Sequence, residues 1–221
     1  MPGPPLQGMK TAITLRNLRA SASHEWFRRR SHLFGPMFGL AACLAVLPFV
    51  AGLLPIVHFV RERIDIAIYP EEVQVEGLYV YRNPWPVPVT QGLTIPLPVD
   101  EIHPEPTELA AWRLPPDVGP IALHTYLGQH NLTLPFRAHE EVQVVVRYRQ
   151  SAPTRDARYL LLTTQPWGRP LDHALYMVAP HNVLLTKSNY PLHRDPQGVL
   201  GFERTDFMPP ADWLLAWEVP K

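Results

Sequence analysis

Seven histidines fall after residue 60, at positions 103, 124, 130, 139, 173, 181 and 193, and they are the side chains of this sequence best suited to chemistry. Imidazoles carried on different strands can converge on a metal ion. His124, His130 and His139 lie closest together, with Glu140 and Glu141 beside them. Their spacings match no metal-binding motif, so scattered turn histidines are the favoured reading. Asp100-Glu101 and Glu140-Glu141 are adjacent carboxylates. Neighbours on a strand point to opposite faces, so each pair reads as solvated rather than as an acid–base couple. A nucleophile needs a base beside it, yet this region has only two serines, Ser151 and Ser188, and neither sits in a G-x-S-x-G or S-x-x-K motif. The single cysteine, Cys43, excludes an internal disulfide and a thiolate zinc site. No catalytic residue, metal set or cofactor is assigned on these grounds.

An eighth histidine, His58, has a different setting. It lies near the end of Leu33 to Val60, a run of 28 residues without Asp, Glu, Lys or Arg. A helix rises about 1.5 Å per residue, so such a run more than crosses a hydrocarbon core of about 30 Å. An imidazole at membrane depth can ligate the metal of a haem or chlorophyll. That makes His58 the one candidate for pigment or haem contact, against the favoured reading of a wetted interfacial side chain. The run is about twice as long as the apolar part of a cleaved signal, and no A-x-A site follows it. Leu40-Ala41-Ala42-Cys43 has the form of a lipoprotein processing box, but 17 uncharged residues follow the cysteine, so an uncleaved anchor is favoured. Gly35, Gly39 and Ala42 give a small-residue stripe of the kind that lets another helix approach closely.

Charge orients this anchor. Residues 1–32 carry net +5 and the remainder net −5. Basic residues flanking a span stay on the cytoplasmic side. The expected organisation is a basic cytoplasmic head over 1–32, a transmembrane helix over 33–60 and a domain over 61–221 on the periplasmic or extracytoplasmic side of a cell inner membrane. The expected partners are the lipid bilayer and other integral membrane proteins. A mildly acidic domain with scattered charge excludes nucleic acid.

Beyond Arg63 the period becomes two. Ile64, Ile66 and Ile68 alternate with Asp65 and Ala67, and Val142, Val144 and Val146 alternate with Gln143 and Val145. Further β-rich runs include 73–82, 93–97, 109–114, 121–126, 132–136, 158–163, 174–178, 183–187, 199–204 and 213–219. Short strands bounded by Pro, Gly, Asn and Asp argue for an antiparallel β-sandwich of roughly 8–11 strands. Twenty-one of the 27 prolines lie in this part, as in Asn83-Pro84-Trp85-Pro86 and Pro96-Leu97-Pro98, and mark edges or extended loops. Pro166-Trp167-Gly168-Arg169-Pro170 reads as a rigid loop. Trp and Arg anchor many interfaces, so Trp85, Trp167 and Arg169 are candidate partner contacts, with Trp167 as a cap on the core as the competing reading. The sum is the profile of a non-enzymatic, single-pass accessory or assembly subunit of a larger membrane complex. Respiratory and photosynthetic assemblies are the class considered, and no residue selects between them. The rival is a membrane-anchored enzyme or metal-binding domain built on histidines and carboxylates.

Overall fold

A computed structural model of the chain describes residues 55–115 and 119–220. The basic head, Cys43 and the stripe Gly35, Gly39 and Ala42 lie outside the described residues. Among the described residues no helix is long and apolar enough to cross a membrane.

The described chain is all-β, with one short 3-10 helix. Its frame is an eight-stranded sheet whose centre is made of long strands: β1 (His58–Ile68), β2 (Glu72–Arg82), β8 (Glu141–Ser151) and β10 (Leu171–Pro180). The intervening strands are β3 (Val89–Ile95), β4 (Thr107–Arg113), β5 (Gly119–Pro120), β6 (His124–Tyr126), β7 (Gln129–Phe136) and β9 (Asp156–Tyr159). They are followed by β11 (Leu184–Ser188), β12 (His193–Arg194), β13 (Leu200–Phe207) and β14 (Trp213–Glu218). The large sheet runs β12-β13-β10-β1-β2-β8-β4-β5, and two three-stranded sheets run β11-β14-β9 and β3-β7-β6.

The period-two pattern decides which side chains go inward. Glu62, Ile64, Ile66 and Ile68 of β1, Val73 and Val75 of β2, Val142, Val144 and Val146 of β8, and Ala174, Tyr176 and Val178 of β10 are all buried. Pairing keeps them on one face, with Ile64 opposite Gly77 on β2 and Tyr176 on β10. The small sheets supply Leu93, Leu132, Leu134, Trp213, Leu215 and Trp217 to the same core. The sealed interior therefore lies on one face of the large sheet. The other face shows Arg63, Asp65, Glu76, Arg147 and Arg149, with Leu78, Leu175 and Met177 only half-buried among them.

Three expectations need correction. The sheet is not purely antiparallel, because β1 and β10 run parallel through its centre, from Arg61 opposite His173 to Ile68 opposite Pro180. A period of two identifies a strand but carries no information on its neighbour's direction. The last residues of the apolar run are strand rather than helix, since β1 begins at His58 and Val57, Phe59 and Val60 are buried in the β core. Hydropathy alone cannot tell lipid from a protein interior. Finally, the run 158–163 is strand only to Tyr159, and Leu161–Trp167 turns as a 3-10 helix. Leu160, Leu161 and Leu162 break the alternation, Pro166 lacks a donor, and Gly168 ends the helix at φ 67°, where glycine carries no steric penalty.

Candidate functional site

Three polar clusters stand out. The first lies at the end of the large sheet where the chain enters β1. There β2 and β13 end while β1, β8 and β10 begin. Asn83, fully buried, organises this entry end. Its amide donates to the carbonyls of Val87 and Arg137, both at 2.8 Å, and its oxygen accepts the backbone N–H of Trp85 at 3.0 Å. The loop 84–88 is three-fifths proline and short of donors, so its carbonyls need a side-chain partner. Trp85 donates its indole N–H to the Ile56 carbonyl at 2.8 Å, yet remains 52% exposed.

Beside that loop Glu141 is shared by Arg61 and Arg82, and Arg113 pairs with Glu140 at 2.9 Å. Arg169 pairs with Asp172 at 2.7 Å. Trp167 packs on Phe59 and Tyr81, with ring centroids 5.6 and 5.5 Å apart. Of the sequence-derived contact residues, Trp85, Trp167, Arg169 and His58 thus gather at one end. Trp167 caps the aromatic core, whereas Trp85 is open to solvent. His58 is the first residue of β1, and its pKa is lowered by partial burial and by Arg169 and Arg82.

The second cluster is interior. Glu62 is 5% exposed and accepts hydrogen bonds from the hydroxyls of Tyr159 and Tyr176, both at 2.8 Å. Tyr159 has one proton and gives it to Glu62, so it accepts from Tyr79 across their 2.7 Å contact. The Tyr79 ring folds over Gly77, where a Cβ would sit 2.4 Å from its hydroxyl oxygen. Burial pushes the Glu62 carboxyl up to about 7, and the two tyrosines hold it below where burial alone would put it. Burial beside Glu62 raises Tyr79, Tyr159 and Tyr176. A void of about 30 Å³ next to Tyr79 and Tyr81 has room for about one water. The network ties β1, β2 and β10 to β9 of a small sheet around a carboxyl that burial raises toward neutrality.

The third cluster lies at the far end, in the loop between β3 and β4. Gln150, also buried, donates to the carbonyls of Pro98 at 3.0 Å and Pro104 at 2.7 Å. Asp100 accepts the backbone N–H of Ile102 and of His103 and meets the His103 Nδ1, each at 2.9 Å. Those bonds, first of all the one from the His103 backbone, pull the Asp100 carboxyl down to about 2. Arg158 pairs with Asp100 at 2.9 Å. The His103 Nε2, 3.8 Å from Asp156, and the Arg158 Nε are buried without a hydrogen-bond partner among the described residues.

The histidine set considered from sequence is not brought together. His130 meets Glu105 at 2.9 Å and Thr125 at 3.1 Å, while His124 and His139 are exposed and Glu140 and Glu141 face arginines. Among the described residues no group of three or more His, Cys, Asp or Glu could hold a metal ion. Glu62, Asn83 and Gln150 were missed. For Glu62 a signal exists, a lone acid on the apolar face of an otherwise alternating strand.

No known protein family matches this chain, and neither does any curated protein. Solved structures do resemble it. A candidate nutrient binding protein of Legionella pneumophila is similar with a TM-score of 0.60 at 14% identity, over 74% of this chain and 67% of that one. An M1 zinc metallopeptidase of Deinococcus radiodurans is similar at a TM-score of 0.40 and 10% identity, over 72% of this chain. This chain spans 42% of that peptidase's length, and a likeness of that degree carries no argument. At 14% identity the first likeness speaks for the fold alone.

Proposed function

We propose that the chain is a non-enzymatic, single-pass accessory subunit of a larger membrane complex, with its head inside and its β domain on the outer side. We read the two small sheets over one face of the large sheet as a β-sandwich. The observation that carries the proposal is the asymmetry of that large sheet. One face is sealed, and the other leaves Leu78, Leu175, Met177 and Trp112 half-buried between charges. Shallow depressions of about 390 and 420 Å³ open on that face, one over Leu175 and Met177, the other over Trp112 and Arg147. Trp, Met and Arg are enriched at protein interfaces, and Arg147 already lies over the Trp112 ring at 5.3 Å.

The anchor survives the correction of its outer boundary. With Pro55 onward given to the domain, Leu33 to Leu54 still provides 22 uncharged residues, about 33 Å as a helix. In this reading Gly35, Gly39 and Ala42 face neighbouring helices. Mild-detergent extraction of the full chain followed by native sizing tests the proposal. Stable co-migration with other membrane proteins is expected, lost on charge reversal at Arg147 combined with Met177→Asp. A lone monomer overturns it.

One observation favours a second reading, a membrane-anchored His/carboxylate enzyme or metal-binding domain. The His103 Nε2, without a hydrogen-bond partner among the described residues, lies 3.8 Å from Asp156 at the far end. Stoichiometric metal in the purified chain, lost on His103→Ala, would establish it.

A further inference from the structure

We propose that the entry end of the domain rests on the bilayer itself, with Trp85 at headgroup depth and Arg137 on the phosphates of anionic phospholipids. This rests on the anchor reading above and goes beyond it by assigning the lipid-facing surface.

Chain length is the first argument. Three residues, Pro55 to Val57, separate Leu54 from β1. At about 3.5 Å per residue over the four steps from Leu54 to His58, β1 begins within about 14 Å of the end of the anchor. A tether of that length keeps the start of β1 close to whatever surface the anchor emerges from.

What that end displays fits a lipid interface. The Trp85 indole N–H is satisfied inward by Ile56, so the half of the ring left exposed is its carbon edge. Val87, in the same loop, is 55% exposed. Tryptophan concentrates at membrane–water boundaries because one side of the ring is apolar and the other polar. Here the loop is held by buried Asn83, so little further ordering is needed for the indole to enter the headgroups.

Charge supplies the lipid class. Arg61, Arg82, Arg113, Arg137 and Arg169 gather at this end against Glu140, Glu141, Asp172 and Asp206. Glu141 serves two arginines. The Arg137 side chain is exposed and has no partner among the described residues, although its backbone is fixed by Asn83 and Glu140. A surplus guanidinium beside an exposed indole is complementary to a phosphate-bearing headgroup carrying net negative charge. The far end, with Glu71, Glu72, Asp100, Glu101, Glu105 and Asp156 against Arg155 and Arg158, has the wrong sign for such a surface.

The test uses the full chain in proteoliposomes and reads quenching of tryptophan fluorescence by phospholipids brominated near the headgroup. A W26F background removes the tryptophan of the basic head. In vesicles containing phosphatidylglycerol, the W26F protein should be quenched more than W26F/W85F, and the difference is the Trp85 share. That share should be lost in purely zwitterionic vesicles and in W26F/R137E, a substitution at an exposed side chain that leaves the fold intact. An unquenched Trp85 in a chain that resists alkaline carbonate extraction overturns this proposal and leaves the anchor standing. Extraction by carbonate overturns both. Quenching of Trp85 that is equal in zwitterionic vesicles and in W26F/R137E overturns the anionic headgroup assignment.

Discussion

Asn83 and Gln150 perform the same task at opposite ends of the large sheet. Each is a buried amide that donates twice to backbone carbonyls, Gln150 to two in its proline-rich loop and Asn83 to one in its own and one, of Arg137, in the segment beside it. Proline removes donors but not acceptors, so a loop rich in it must borrow donors from elsewhere. The two ends nevertheless differ in what the pinned loops present. The entry end shows an indole and surplus arginine, and the far end shows carboxylates, one of them holding a buried histidine. One structural device therefore supports two surfaces of opposite charge, and the sheet between them keeps them apart.

Removing the pins is the most direct way to break the comparison. Asn83→Ala deletes three hydrogen bonds made by a fully buried side chain, an expected loss of roughly 2–4 kcal/mol in urea unfolding of the detergent-solubilised chain. The core between the ends sharpens it by pH. Glu62 has its carboxyl raised from 4.5 to about 7 in the folded state. Between those values the folded chain binds a proton that the unfolded chain does not, so stability falls as pH rises through that window, by roughly 3 kcal/mol. Glu62→Gln should abolish this slope in unfolding curves recorded from pH 4 to 8.

Smaller effects belong to the far end. Gln150→Leu removes two hydrogen bonds and should cost roughly 1–3 kcal/mol; a loss exceeding that of Asn83→Ala would reverse the ranking of the two pins. Asp100 behaves opposite to Glu62. Its carboxyl is depressed from 3.8 to about 2. Its contribution is therefore complete above about 4 and is lost as pH falls through about 2. Asp100→Ala should flatten acid unfolding below pH 4 while leaving the slope between 4.5 and 7 in place. The least effect on stability is expected for Trp85→Ala, under about 1 kcal/mol, because half the ring is already exposed. A large loss there would make the indole structural rather than a contact.

Much of the fold is legible in the sequence because the pattern is local. Ile64-Asp65-Ile66-Ala67-Ile68 and Val142 to Val146 state both strand and inward face, and the structure places them so. The prolines mark where strands stop. What was not legible came from contacts distant in sequence. Glu62 stands out as an acid in phase with Ile64, Ile66 and Ile68, but its partners Tyr159 and Tyr176 lie 97 and 114 residues away. Asn83 reads as a turn residue until the segment 54 residues later supplies the carbonyl of Arg137. The candidate contacts Trp85, Trp167 and Arg169 were visible as types, but not that one caps a core while another stands open.

The sequence alone determined the all-β character of the domain, the length and charge flanks of its apolar run and the scarcity of reactive side chains, because each is a property of neighbouring residues. Tertiary structure decided the rest: that β1 and β10 pair in parallel, that the last residues of the apolar run are strand, that a glutamate is buried in the core under two tyrosine hydroxyls, and that two pinned loops end in surfaces of opposite charge. These depend on which distant segments share a dielectric and a hydrogen-bond network, and a linear pattern holds no record of that until the chain is folded.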